Sequence, residues 1–370
     1  MFKPFLYIKN IKKYFIHQFI KLGSIILEKQ FWTSSELHNL FLLNEKISRQ
    51  TLLNAEERGE IPKAERVPRG KIQVRQWKLE QIPEIGARFG FLKKPKKQKV
   101  VCVYTPKGGV LKTTYSYNFA RMLALNGLKT LIIGLDIQCS VTNYALPRPK
   151  FESLEEFESL KKQNLRRLGL YHYLFEKASL DDVIQHTTLP TLDIIPETPD
   201  LNVLEKKLRL EPRREYLFKD KLISELSDYD VIIFDNSPSW NQLVECALTA
   251  SKTIISPIGC DIETYEALET NLSIVFEFQD VMKLEWDNFF LIPTLLEKTN
   301  LSQQIYGVYV NSYGNKIVPI PIRRSVKGQE ARVLYLSVIE YEPKSTLAQD
   351  YYELIRDLWS KILGETTNGA

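Results

Sequence analysis

Lys107, Gly108, Gly109, Val110, Leu111, Lys112, Thr113 and Thr114 form one run in which two lysines and two hydroxyls bracket a glycine turn. A turn of this kind lets backbone amides approach an anionic oxygen, because glycine adopts conformations that a side chain obstructs. The apolar stretch Val100–Tyr104 leads into the run and an amphipathic stretch leaves it. Strand, glycine turn and helix N-terminus together are the setting in which such a run cradles a polyphosphate. There Lys112 reaches the β- and γ-phosphates and the Thr113 hydroxyl ligates Mg2+. Two carboxylates end other apolar stretches: Asp136 in TLIIGLDIQCSVT and Asp235 in VIIFDNSPSW. A carboxylate at a strand end facing the γ-phosphate orients an attacking water, the task expected of Asp136, and holds a Mg2+-bound water, the task expected of Asp235. Capping of the next helix is the plain alternative for Asp136.

Positioning these groups requires a parallel α/β sheet, and from Val100 onward apolar strands alternate with amphipathic helices. Strands are expected at Val100–Tyr104, Thr130–Leu135, Leu192–Ile195, Val231–Phe234, Thr253–Ser256, Phe289–Ile292 and Lys316–Ile320. Helices are expected at Lys112–Asn126, Asn202–Leu226, Asn241–Ala250, Ile262–Met282, Leu301–Tyr313 and Leu347–Leu363, with a surface insertion over Pro147–Arg167.

The pattern K-G-G-x-x-K-T-T resembles the deviant Walker A motif of the ParA/MinD family, whose extra lysine is here Lys107. The resemblance implies that Lys107 reaches across a nucleotide-sandwiched homodimer to the partner's phosphates. Leu111 departs from the family, which has glycine before the P-loop lysine. The Asp136 segment resembles D-L-D-P-Q-G-N-A-T, with Gly134, Ile137 and Cys139 replacing its first aspartate, proline and glycine. Asp235 resembles the Walker B aspartate, and IPIRRSVKGQEA resembles I-P-R-N-V-R-L-S-E-A. The resemblance covers residues 99–363, and implies ATP/ADP and Mg2+ as cofactors, ATP hydrolysis as the activity and Lys107, Lys112 and Asp136 as its catalytic residues.

Ahead of that body lies a basic head. Residues 1–99 carry 21 Lys/Arg against 9 Asp/Glu, whereas the rest of the chain is net acidic although the whole stands at +5. That asymmetry points to nucleic acid bound mainly by the head. WTSSELHNLFLLNEKISRQTLLNAEERGEIP predicts two helices with a turn near Asn44–Lys46, the first capped by Ser34 or Ser35 and the second by Ser48. ERVPRGKIQVRQW then predicts a β-wing, and the whole resembles MerR-like winged helix-turn-helix domains. Arg49, Gln50 and Asn54 would face base edges; Arg66, Arg69, Lys71 and Arg75 would face phosphates. A helical domain making protein contacts only is the alternative. In the body, Arg323, Arg324 and Lys327 are the candidates for sequence-independent DNA contacts, or else a solvated basic loop.

The sequence therefore divides into an amphipathic helix over residues 1–30, a winged helix-turn-helix over 31–90, a basic hinge over 91–99 and a P-loop ATPase over 100–370. The first helix either mediates dimerisation or packs on its own domain. Four scattered cysteines and four scattered histidines argue against a disulfide framework and a zinc centre. No apolar run is long enough for a membrane span, and no signal peptide is visible. The combined resemblance implies a cytoplasmic, nucleoid-associated ParA-type partition ATPase that binds nucleoid and operator DNA and is stimulated by a ParB-type partner. A nucleotide-gated repressor with little hydrolysis is the first rival. A MinD-like membrane ATPase, using Asp350–Leu363 as an amphipathic anchor, is the second; the mixed polar face of that helix argues against it, and no stable membrane association is expected.

Overall fold

The computed structural model describes residues 29–41, 48–146 and 167–365. Its first elements are β1 (Phe31–Thr33), α1 (Ser34–Leu40), α2 (Arg49–Glu57), β2 (Glu65–Arg69), β3 (Ile72–Lys78) and α3 (Ile82–Phe89). The three strands make an antiparallel sheet in the order β1-β3-β2. The cap of α1 is Thr33 rather than Ser34 or Ser35: its hydroxyl accepts from the Glu36 amide while the Glu36 carboxylate accepts from the Thr33 amide. Ser34 is already the first residue inside the helix. Ser48 caps α2 through the Thr51 amide, as expected. The turn expected near Asn44–Lys46 and the insertion expected over Pro147–Arg167, except Arg167 itself, lie outside the described residues, as does the helix expected over residues 1–30 apart from its last two.

The body follows as β4 (Lys99–Val103), α4 (Lys112–Leu125), β5 (Thr130–Leu135), α5 (Ser140–Ala145), α6 (Leu170–Phe175), α7 (Leu180–Val183), β6 (Gln185–His186), β7 (Leu192–Ile195) and α8 (Leu201–Leu208). It continues with β8 (Val231–Asn236), α9 (Gln242–Ala250), β9 (Thr253–Gly259), α10 (Ile262–Met282), β10 (Asn288–Leu296) and α11 (Asn300–Tyr313). The last elements are β11 (Ile322–Arg323), α12 (Lys327–Val333), α13 (Val338–Tyr341) and α14 (Thr346–Leu363). The body strands form one sheet in the order β11-β10-β9-β4-β8-β5-β7-β6, parallel except for the antiparallel β6–β7 edge. Both faces are covered, which is why its central strands are apolar throughout rather than alternating. Val101 and Val103 point into the core under α4 and α14, while Val100 and Cys102 point into the core under α8 and α9.

Two expected elements differ. The helix expected over Asn202–Leu226 ends at Leu208, and short 3-10 and π turns carry the chain from Arg214 to Glu225. Pro212 disfavours helix at the residue before it, and Arg213 takes a left-handed conformation at φ 54°. The strand expected at Lys316–Ile320 reduces to one bridge between Ile317 and Leu291. Pro319 and Pro321 withhold amides, so pairing resumes only at β11.

Head and body share one hydrophobic core. Trp32, Leu37 and Trp77 belong to the same buried cluster as Phe119, Ile355 and Trp359. Helices α3 and α4 approach so closely that a Cβ on Gly86 would sit 1.8 Å from the Leu125 carbonyl oxygen. The stretch expected as a hinge is strapped down: the Asn126 side-chain oxygen accepts from the Phe91 and Leu92 amides, and the Trp359 indole donates to the Lys93 carbonyl.

Candidate functional site

The carboxyl ends of β4, β5 and β8 converge on the glycine turn, and α4 starts at Lys112 immediately after it. Lys112 is buried, and its ammonium donates to the Lys107 carbonyl at 2.5 Å, closing the turn into a ring. Burial pulls that ammonium down to about 8, against the opposing pull of Asp235 and Asp136. Gly109 takes φ +78°, and Leu111, the α4 N-cap, takes the left-handed φ 67°, ψ 23°. Thr294 on β10 donates its hydroxyl to the Val110 carbonyl at 3.1 Å, holding the turn from the opposite side.

Asp235 is fully buried near the end of β8. Its two oxygens accept separate hydroxyl protons, from Thr113 at 2.8 Å and Ser116 at 2.7 Å. Burial pushes its carboxyl up to about 6, although both hydroxyls and Lys112 favour the charged form. Sequence reasoning missed Ser116; its only signal is its place one helical turn after Thr113. Asp136 is half-buried just beyond β5 and accepts from the Gln138 amide at 3.0 Å. Cys139 follows at φ 52° and is the N-cap of α5. Thr114 bonds the Tyr144 hydroxyl at 3.0 Å, tying the turn to α5.

Lys107, Gly108, Gly109, Val110, Leu111, Lys112, Thr113, Thr114, Asp136 and Asp235 thus surround one end of the sheet. A buried carboxylate with an adjacent threonine hydroxyl is a hard oxygen donor set, which fits Mg2+. Among the described residues no group of three His, Cys, Asp or Glu could hold a metal by itself.

The remaining candidates fall into two sets. Arg49 and Gln50 are exposed on α2, where Gln50 donates to the Asn54 side chain at 2.8 Å. Arg66, Arg69 and Lys71 are exposed on the β2–β3 hairpin. Arg75 differs, because its guanidinium lies 2.8 Å from the buried Glu56 carboxylate. In the body, Arg323 grips Asp350, Arg324 meets Glu297 at 2.8 Å, and Lys327 meets Glu330 and Glu342 at 3.0 Å each. With Lys298 and Lys344 they line a cavity of about 730 Å³ beside the start of α14. No described helix is long and apolar enough to cross a membrane, and the apolar face of α14 is buried in the core.

A family model described as "AAA domain" matches residues 98–286. The chain is 29% identical over 268 residues to the chromosome partitioning protein ParA of Caulobacter vibrioides, covering 71% of this chain and 94% of that protein. Among solved structures it is similar to the ATP complex of a Cyanothece McdA variant, with TM-score 0.60, 16% identity and coverage of 74% and 99% of the two chains. It is also similar to cobyrinic acid a,c-diamide synthase from Mycobacterium smegmatis, solved with an ATP analogue and magnesium, with TM-score 0.57, 23% identity and coverage of 71% and 95%. Those two likenesses speak to the fold, which hosts more than one chemistry.

Proposed function

The chain belongs to the AAA domain family through residues 98–286, and from that premise we propose that it is an ATP-dependent DNA-partition protein of the ParA type. The observation carrying this reading is the pairing of a buried Lys112, folded back over the glycine turn, with a buried Asp235 one hydrogen bond from Thr113. The turn and the α4 N-terminus present amides to the phosphates of ATP, and Lys112 exchanges the Lys107 carbonyl for a phosphate oxygen. Thr113 and Asp235 would hold Mg2+, which supplies neutralising charge on the phosphates when bound. Asp136 orients the attacking water. Lys107 reaches the second copy of a homodimer.

In the same reading the head is a winged helix-turn-helix. Arg49, Gln50 and Asn54 on α2 read operator base edges, and Arg66, Arg69 and Lys71 contact phosphates; Arg75 joins them by releasing Glu56. Arg323, Arg324 and Lys327 bind nucleoid DNA by exchanging carboxylates for phosphates. The Caulobacter relative is a chromosome partitioning protein. That supports a ParB-type centromere-binding protein as the partner that stimulates turnover, and a cytoplasmic, nucleoid-associated location.

A second reading, a nucleotide-gated DNA-binding regulator with little hydrolysis, draws on the left-handed Leu111 in the glycine turn. The deciding measurement is ATP turnover alone and with duplex DNA plus the ParB-type partner, with Lys112→Ala as control. Slow turnover that those partners stimulate and Lys112→Ala abolishes supports the partition motor. Nucleotide binding without turnover supports the regulator.

A further inference from the structure

Glu197 stands beside the phosphate site with no role in the scheme above. It lies two residues beyond β7 and is 4% exposed. Its carboxylate accepts from the backbone amides of Val141 at 3.1 Å and Thr142 at 2.8 Å, and from the Thr142 hydroxyl. That hydroxyl in turn accepts from the Glu197 amide at 2.9 Å, so the two residues clasp each other. Val141 and Thr142 open α5, and the segment immediately before them carries Asp136 and the left-handed Cys139. The Cys139 thiol also lies 3.6 Å from the Glu197 carbonyl.

The room for this side chain comes from β5. Gly134 is level with Asp235 on β8, and a Cβ there would lie 2.3 Å from the Glu197 Cδ and 2.7 Å from its Oε2. A side chain at position 134 and this placement of Glu197 therefore exclude each other. Burial pushes the Glu197 carboxyl up to about 7, with the nearby Asp235 acting in the same direction and the Thr142 bonds against it. A carboxylate kept in so costly a setting calls for more than space filling.

We propose that Glu197 is the positioning residue for Asp136: by clamping the first turn of α5 from β7, it fixes the loop that aims Asp136 at the γ-phosphate. This rests on the reading of Asp136 as the water-orienting carboxylate. The Glu197 carboxylate is committed to Val141 and Thr142 on α5 rather than to any residue of the glycine turn, so its loss should act on the chemical step rather than on ATP binding.

The experiment compares wild type, Glu197→Gln and Gly134→Ala in the full-length protein. Glu197→Gln keeps the shape but turns an amide donor toward donors; Gly134→Ala leaves Glu197 in the chain and pushes it aside. Two quantities are measured: ATP turnover with its KM, and labelling of Cys139 by a small aromatic disulfide reagent, read by peptide mass. The other cysteines, Cys102, Cys246 and Cys260, are buried. Turnover falling about 10- to 100-fold in both variants with KM for ATP within about threefold supports the proposal. Faster Cys139 labelling, by about threefold or more, supports the clamp itself. Unchanged turnover in both variants overturns it, as does a KM rising in step with the loss of turnover, which would make Glu197 general scaffold. If wild type binds ATP but does not turn it over, the Asp136 reading fails by itself, and labelling alone decides: unchanged labelling in both variants overturns the clamp.

Discussion

Leu111 pits backbone strain against packing at a single position. Its left-handed φ of 67° costs a non-glycine residue about 1 kcal/mol, yet its side chain packs against the main core. Leu111→Gly removes the strain and the packing together, so the midpoint of urea unfolding should move by less than about 1 kcal/mol in stability. ATP turnover should rise if the leucine crowds the phosphates, and an unchanged rate would show that the turn accommodates it. Cys139 repeats the situation at φ 52°, again where the resembled motif has glycine. The sequence shows both departures as substitutions; only the backbone shows that the chain keeps the conformation glycine would take. Glu197 was not legible, because its link to Asp136 depends on the β5–β7 register, which joins segments far apart along the chain, and not on any local motif.

Elements with strong periodicity and clear ends were the legible ones. Helix α10 runs over Ile262–Met282 as its sequence pattern predicts, started by Asp261, whose carboxylate accepts from the Thr264 amide. The expected helix over Asn202–Leu226 failed where Pro212 interrupts a pattern whose apolar spacing continues. Arginines likewise divide by the element that carries them. Arg49 is exposed on α2 and makes no ion pair among the described residues, whereas Arg323 is held by the buried Asp350. Arg49→Ala should leave thermal stability unchanged within about 0.5 kcal/mol and weaken operator binding by about 1–3 kcal/mol in a salt-controlled titration. Arg323→Ala should instead cost about 1–3 kcal/mol of stability, because Asp350 loses its counter-charge. Reduced DNA binding in that variant therefore counts only where the unfolding curve shows the protein still folded.

Composition divides the molecule into a basic head and an acidic body, but packing joins them. Helix α4 starts at the glycine turn with Lys112 and ends at Leu125, where α3 of the head lies against it. The Tyr352 hydroxyl of α14 donates to the Leu40 carbonyl, and the Phe91 ring sits 5.3 Å from that of Tyr352. Because the head shares the core under α4 and α14, head and body should unfold in one transition, so Trp32 and Trp77 should report the same midpoint as Trp240 and Trp286, which pack against the core on the other face of the sheet. Gly86→Val tests the seam directly. Its Cβ meets backbone rather than a flexible side chain, so α3 must shift as a unit, at a cost of about 1–3 kcal/mol or more. The head midpoint should fall below that of the body, splitting the transition, while ATP affinity stays near wild type because Gly86 is remote from the glycine turn along α4. Coincident midpoints in Gly86→Val would mean that the seam tolerates the displacement and that the shared core is held mainly through α14. A split transition would identify the α3–α4 contact as the seam that makes head and body unfold together.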